Sequence, residues 1–166
     1  MAKQISSMQD LYVDLLQDTY SAEQQLVKAL PKMAEAAETE ELKEAFQQHL
    51  EETQGQVQRL EQIFKELKQK PGDETCEAMQ GLVKEAEQLM GMKVDKDVLD
   101  AGLIACAQKV EHYEIASYGT LAEFASLLGF DKQSELLEET LEEEKATDAR
   151  LTELAEDHIN QMAEAA

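Results

Sequence analysis

Glycine, proline and aromatic residues are scarce in this sequence of 166 residues, which has 7 Gly, 2 Pro, 4 Tyr, 4 Phe and no Trp. Turn-forming and strand-favouring side chains are therefore too few for a protein built from many strands. Cysteine is equally rare, because only Cys76 and Cys106 are present and they form no Cys-x-x-Cys pair. This spacing excludes a disulfide framework and a zinc ribbon.

Positive charge and long apolar runs are also lacking. The 15 Lys and Arg residues are outnumbered by 36 Asp and Glu residues, which gives a formal net charge of −21. Such a surface repels nucleic acids and anionic membranes and attracts cations. The sequence has no apolar signal region at its start and no apolar run near the roughly 20 residues that span a bilayer. We therefore expect a cytoplasmic protein with no nucleic-acid partner and no membrane partner.

The residues that dominate are Ala, Glu, Leu, Lys and Gln, which favour helix. Apolar residues recur at helical spacing in four long segments. The first begins after a capping box formed by Ser7 and Asp10, and its pattern continues through Pro31, which should kink the helix without ending it. The second begins near Thr39 and is expected to stop at Pro71-Gly72.

The two later helices are separated from the first two by an irregular stretch over residues 71–95, which contains a short helix. The third long helix begins near Asp95 and runs to Gly129, and Asp131 caps the fourth. Short turns join each pair of helices, and the long stretch allows the third helix to start again at the opposite end. The sequence therefore predicts an all-α, ferritin-like four-helix bundle with a long crossover between helices 2 and 3, as one domain over residues 1–166.

An internal repeat supports this organisation. Shifting the chain by 91 residues superposes about ten identical residues from the first helical pair on the second. A pseudo-two-fold axis would follow, with equivalent ligand sets facing each other across it. The matched pairs include Glu23 with Glu114, Leu30 with Leu121, Glu52 with Glu143, and Arg59 with Arg150.

Each long helix carries acidic or imidazole groups on or beside the face that should be buried. Helix spacing places residues three or four apart on one face, and in the fourth helix two adjacent glutamates straddle the apolar stripe. The rise of 1.5 Å per residue puts all these groups roughly 15 to 22 Å from the turns, at one level of the bundle. The candidate metal ligands are Glu23, His49, Glu52, Glu111, Glu114, Glu143 and Glu144.

Several carboxylates in an apolar interior would repel one another and lose their hydration. No lysine or arginine lies at the same depth on the inner stripes, whereas two divalent ions would neutralise four carboxylates. Oxygen ligands with few imidazoles suit iron or manganese, and zinc is a further option. Plainer interpretations are that His49 is a hydrogen-bonded core histidine, that Glu143 is a solvated member of a glutamate run, and that Tyr20 packs in the core instead of orienting a ligand.

Four longer segments carry a specific pattern, namely Tyr20-Ser21-Ala22-Glu23, His49-Leu50-Glu51-Glu52-Thr53, Glu111-His112-Tyr113-Glu114-Ile115-Ala116-Ser117-Tyr118 and Glu142-Glu143-Glu144-Lys145. These segments resemble the YciE/YciF family of bacterial ferritin-like proteins. The resemblance implies a four-helix bundle that commonly forms homodimers, a di-metal centre and an association with stress responses. Compared with the wider ferritin and rubrerythrin pattern, helix 2 reverses the Glu-x-x-His order and helix 4 has no histidine. The resemblance covers nearly the whole chain, including the crossover at Cys76-Glu77-Ala78-Met79.

These observations leave two main hypotheses. In the first, the chain is a di-iron or di-manganese redox protein that acts on peroxide or dioxygen. In the second, it is a non-enzymatic stress protein with a structural or vestigial metal site, in which dimerisation is the main event. Iron storage in a hollow cage is a weaker third hypothesis, because no sequence feature indicates a cage-forming interface.

Overall fold

The computed structural model describes residues 4–166, and every regular element in that part of the chain is helical. The first two long helices pack on each other, as do the last two, and the pairs meet through α1 with α4 and α2 with α5. This is the helical bundle with a crossover that the sequence predicts. The elements are α1 (Met8–Ala36), α2 (Glu40–Leu67), α3 (Glu77–Met90), α4 (Lys96–Leu127), α5 (Asp131–Leu154), a π-helical turn (Ala155–Ile159) and α6 (Asn160–Ala165).

The helix ends follow from local side-chain and backbone chemistry. The Ser7 hydroxyl accepts a hydrogen bond from the Asp10 amide at the start of α1, as the capping box predicts. Helices α2 and α4 both end in a Schellman arrangement, in which a left-handed residue lets two amides reach back to the last turn. The left-handed residue is Lys68 (φ 53°) after α2 and Gly129 (φ 76°) after α4.

Two predicted boundaries are wrong. Helix α2 ends at Leu67, before Pro71-Gly72, because the left-handed Lys68 already closes its last turn. The residue that caps α5 is Phe130, and Asp131 is the first helical residue, where its carboxylate lies at the positive end of the helix dipole. Pro31 lies inside the continuous helix α1, as expected.

The crossover contains α3, which packs against α1 and α4. Cys76 caps α3, because its sulfur accepts a hydrogen bond from the Met79 amide at 3.4 Å. Both cysteines are free thiols, in keeping with the absence of a disulfide framework. None of the helices over residues 4–166 is long and apolar enough to cross a membrane.

The interior of the bundle is divided into two apolar clusters with a polar layer between them. One cluster includes Leu26, Phe46 and Leu103, and the other includes Leu16 and Leu60. On every long helix some of the buried polar residues lie at the level between these two clusters, whereas Asp100, Gln133 and Ser134 are buried nearer the helix ends. The residues of the polar layer are Thr19 and Glu23 on α1, His49, Thr53 and Gln56 on α2, Glu111 and Glu114 on α4, and Thr140 and Glu144 on α5.

Candidate metal centre

Four side chains in the polar layer meet closely enough to share a metal ion. Each of His49, Glu111, Glu114 and Glu144 offers one ligand atom, and these four atoms lie within 4.8 Å of one another. The residues come from α2, α4 and α5, and all four are buried. The His49 Nε2 atom lies 3.2 Å from Glu111 Oε1, between two side chains that are 3% and 1% exposed.

Glu23 on α1 adjoins this group and completes it. Its side chain is fully buried, and one of its oxygens accepts a hydrogen bond from the Tyr118 hydroxyl. Its carboxyl group also lies close enough to Glu144 to interact with it electrostatically. Each of the four long helices therefore contributes to one group. We call the five residues Glu23, His49, Glu111, Glu114 and Glu144 the buried cluster.

Many polar atoms of the buried cluster lack a hydrogen-bond partner within the protein. Both ring nitrogens of His49 and both carboxyl oxygens of Glu114 are unpartnered, and so is one oxygen on each of the other three glutamates. A buried polar atom without a partner costs about 1 to 3 kcal/mol, and more when it is charged. Unpartnered atoms are normally isolated in native proteins. Here they converge on a single place, as expected for ligands of a cation.

The cluster has little positive charge to balance it. Among residues 4–166, the buried polar side chains include no lysine or arginine. Burial raises the pKa of Glu23, Glu111 and Glu114 well above the ordinary value of 4.5, and the charges of neighbouring carboxylates raise it further. Without a cation, the cluster must therefore retain protons that exposed glutamates would lose near neutral pH.

Two residues that the sequence analysis did not single out hold cluster carboxylates by hydrogen bonds. Burial raises the pKa of Tyr118, which keeps its hydroxyl protonated and able to donate to Glu23. The Gln56 amide donates to Glu144 and also to Glu143, at 3.1 Å for the latter. Tyr118 lies four residues after Glu114, so helical spacing could have identified it, whereas Gln56 resembles any polar residue of α2.

Glu143 does not join the buried cluster. Two adjacent residues differ by about 100° around a helix, so Glu143 and Glu144 cannot both face the interior. Glu144 is fully buried, whereas Glu143 is 26% exposed and pairs with Arg59, at 2.7 Å from each of two guanidinium nitrogens. Of these two candidate ligands, the structure therefore brings only Glu144 into the cluster.

Glu52 is likewise not brought into the cluster, and neither is Tyr20. The Glu52 carboxylate is half-buried and accepts hydrogen bonds from Gln48 at 2.9 Å and from Thr147 at 3.4 Å. The same spacing of three residues brings both Glu111 and Glu114 into the cluster, so the hydrogen bonds, and not the spacing, distinguish Glu52. The Tyr20 hydroxyl donates to Glu61 at 3.0 Å, away from Glu23.

Comparison with known proteins agrees with this architecture. Residues 7–164 match a family described as a domain of unknown function, DUF892. This chain belongs to the DUF892 family. It is 52% identical over 161 residues to the protein YciF of Escherichia coli K12, a match that covers 96% of this chain and 97% of that protein. The resemblance to the YciE/YciF family is therefore confirmed.

Solved structures of DUF892 relatives share the fold. The crystal structure of the E. coli stress protein YciF superposes with a TM-score of 0.91 at 52% identity, covering 94% of this chain and 99% of the other. The YcfI protein of Rhodopseudomonas palustris, which has been suggested to be a structural protein, gives 0.88 at 49% identity over 92% and 97%. A Xanthomonas campestris protein gives 0.77 at 25% identity over 96% and 98%. The ferritin-like fold class is confirmed.

Proposed function

We propose that this chain is a stress-associated, ferritin-like protein whose buried cluster binds a pair of transition-metal ions, iron or manganese, for chemistry on peroxide or dioxygen. One observation carries the proposal: four buried carboxylates and an imidazole converge, with seven polar atoms left without partners. That count comes from two on His49, two on Glu114 and one each on Glu23, Glu111 and Glu144.

The donor set fits such ions. Two divalent cations carry four positive charges, which would balance the carboxylates of Glu23, Glu111, Glu114 and Glu144 and remove the repulsion among them. Carboxylate oxygens with one imidazole suit manganese or iron better than a thiolate-seeking metal. When bound, a pair of such ions supplies electron exchange with a small oxidant and holds its oxygen atoms.

The protein's own contribution is to place the ligands and exclude water. The two apolar clusters lie on either side of the polar layer, so charges within the layer interact in a medium of low dielectric constant. Tyr118 orients Glu23, and Gln56 orients Glu144. Hydrogen bonds of this kind to ligating groups typically change metal affinity by about 10- to 100-fold.

The relatives support a role in stress. The E. coli relative is described as a stress protein, and it shares the bundle and about half of its residues with this chain. A cytoplasmic metal protein that removes oxidants would fit that description. We also propose, as the family resemblance implies, that the chain forms a homodimer.

The test is metal analysis with a matched pair of variants. Titration of metal-free protein with Mn(II) or Fe(II) should give two ions per chain, and Glu114→Gln should abolish at least one of them. Glu123→Gln is the control, since Glu123 is an exposed glutamate on the same helix. Loaded protein should then consume peroxide. Absence of metal uptake would reject the site, and uptake without peroxide or dioxygen consumption would reject the chemistry.

A second candidate is a non-catalytic structural protein, as has been suggested for the R. palustris relative. The observation that favours it is the single imidazole, because a site with one histidine has fewer imidazole ligands than the usual ferritin-like centre. Under this hypothesis Glu23→Ala and Glu114→Ala change stability little in metal-free buffer, and there is no turnover. Function would then depend on the dimer, so variants that dissociate more readily in sedimentation experiments should also lose function.

A further inference from the structure

A pocket of about 150 Å³ opens between α2 and α5 and reaches the buried cluster. Its lining includes His49, whose side chain is only 3% exposed and whose two ring nitrogens have no hydrogen-bond partner. The pocket therefore places an unpartnered cluster residue within reach of the surface. Every other member of the cluster is absent from this lining, so the imidazole is the point where pocket and cluster meet.

The outer wall of this pocket is acidic. Glu41, Glu44 and Glu52 line it, opposed by the single guanidinium of Arg150. That guanidinium is directed along its own helix, where Nη1 lies 3.4 Å from Glu153. An excess of carboxylates in a concave site raises the local concentration of cations and their rate of association. The negative charge of the pocket thus attracts divalent cations and repels anions.

Glu52 lines the same pocket as His49 and is the more exposed of the two. It follows His49 by three residues on α2, and the hydrogen bond from Thr147 connects it to α5 across the pocket. The hydrogen bond from Gln48 holds its other oxygen. Its two donors are neutral, so Glu52 can bind a passing cation without an existing ion pair having to break first.

We propose that this pocket is the inlet through which divalent cations reach the buried cluster, and that Glu52 is a transit ligand that transfers them to His49. This inference rests on the proposed metal-binding function. It gives Glu52, which the structure does not bring into the cluster, a role in the rate of metal uptake and no role in the affinity of the loaded site.

The test is the rate at which metal-free protein takes up Co(II), followed by stopped-flow absorption of the bound ion. Glu52→Gln should slow uptake by about 3- to 10-fold, at the lower end of electrostatic steering effects because only one of the pocket's carboxylates is removed. Release into a chelator should slow by the same factor, because a residue that serves only in transit leaves the equilibrium unchanged. The matched control is Glu51→Gln, which removes the same charge from an exposed site outside the pocket.

A second variant tests the route without changing charge. Ala146→Phe fills the pocket at an exposed position of α5, where the larger side chain is readily accommodated. It should also slow uptake while leaving the number of bound ions intact. Unchanged rates in both Glu52→Gln and Ala146→Phe would overturn the inlet but leave the metal site standing.

Equilibrium titration separates the remaining outcomes. If Glu52→Gln lowers the number of bound ions or weakens their affinity, Glu52 is a permanent ligand, and the transit role is wrong. If the wild-type protein takes up no Co(II), Mn(II) or Fe(II) at equilibrium, the proposed function fails, and the inlet fails with it.

Discussion

The two helical hairpins of this protein share a repeat but contribute unequally to the site. The first hairpin, α1 with α2, supplies Glu23 and His49, whereas the second, α4 with α5, supplies Glu111, Glu114 and Glu144. Under the shift of 91 residues, only the pair Glu23 and Glu114 is repeated as two cluster residues. The repeat is therefore a property of the scaffold, whereas the interior at the site is asymmetric.

The asymmetry is visible at three equivalent positions. Tyr20 corresponds to Glu111, Thr53 to Glu144, and Thr140 to His49. Thr53 donates to the His49 carbonyl at 2.7 Å, and Thr140 accepts from Arg59 at 3.2 Å, so neither position supplies a carboxylate or an imidazole to the cluster. We therefore expect two metal positions of unequal affinity. The weaker one should be nearer the first hairpin.

The largest effect should come from making the second hairpin like the first. Glu144→Thr removes a cluster carboxylate and installs the residue found at the equivalent position 53. We expect metal affinity to fall by at least about 100-fold, which exceeds the usual effect of a residue that only supports a ligand. Calorimetric titration with Mn(II) measures it. An affinity within threefold of wild type would show that Glu144 is not a ligand.

The reverse change should have a smaller effect of opposite sign. Thr53→Glu adds to the first hairpin the carboxylate that the second already has. We expect the weaker ion to bind about 10-fold more tightly, while the metal-free protein loses stability because another carboxyl group is buried. Titration and thermal unfolding with and without Mn(II) measure both. Tighter binding of Mn(II) without a loss of stability in the metal-free protein would contradict this interpretation, and so would that loss of stability without tighter binding.

The pH dependence of the metal-free protein sharpens the same comparison. Burial raises the pKa of Glu23, Glu111 and Glu114 in the folded state above the value of 4.5 that applies when unfolded. The folded state then binds more protons than the unfolded state. The contribution of these groups to the free energy of unfolding is therefore greatest below about pH 4.5. This contribution is lost as the pH rises toward the pKa values of the folded state, and each group lowers the free energy of unfolding by up to about 1.4 kcal/mol per pH unit.

Chemical denaturation at several pH values measures the slope of the free energy of unfolding against pH. The pair Glu111→Gln and Glu114→Gln, from the second hairpin, should flatten it more than Glu23→Gln from the first. Bound Mn(II) should also flatten it, because the ions replace the protons. A metal-free stability that increases from pH 5 to pH 8 would mean that these carboxyl groups are not buried together.

The smallest effect concerns two arginines at equivalent positions. Arg59 bridges α2 and α5 through Glu143 and Glu139, at 2.7 Å in each case, whereas the exposed Arg150 has a 3.4 Å contact with Glu153 on its own helix. Arg59→Gln should cost about 1 kcal/mol of unfolding free energy, since its network is only partly exposed. Arg150→Gln should change it by less than about 0.5 kcal/mol. If urea unfolding gave the same change in free energy for Arg59→Gln and Arg150→Gln, the distinction between the two arginines would be refuted.

The sequence predicted the fold and the level of the site because both depend on periodicity. Apolar spacing defined the four helices, and the rise per residue placed Glu23, His49, Glu111 and Glu114 in one layer, where the structure has them. What the sequence could not predict is rotation within that layer. About 100° separates Glu143 from Glu144, which is enough to move a carboxylate to a different partner. Glu52 is held by Gln48 and Thr147, and a helical spacing of three residues does not reveal these contacts.

The supporting residues were harder to predict for a related reason. Gln56 and Arg59 act through partners on α5, and only the packing of α2 on α5 decides which partner each one meets. The repeat was also misleading at Glu52 and Glu143. These residues are identical and equivalent, yet one accepts hydrogen bonds from neutral groups and the other pairs with an arginine.

The most direct test of the metal centre is an anomalous-scattering map from crystals grown with Mn(II) or Fe(II). It should show two peaks within the polar layer, coordinated by Glu23, His49, Glu111, Glu114 and Glu144, with the lower occupancy on the side of the first hairpin. Peaks confined to surface carboxylates, or a polar layer without any peak at saturating metal, would contradict the central claim.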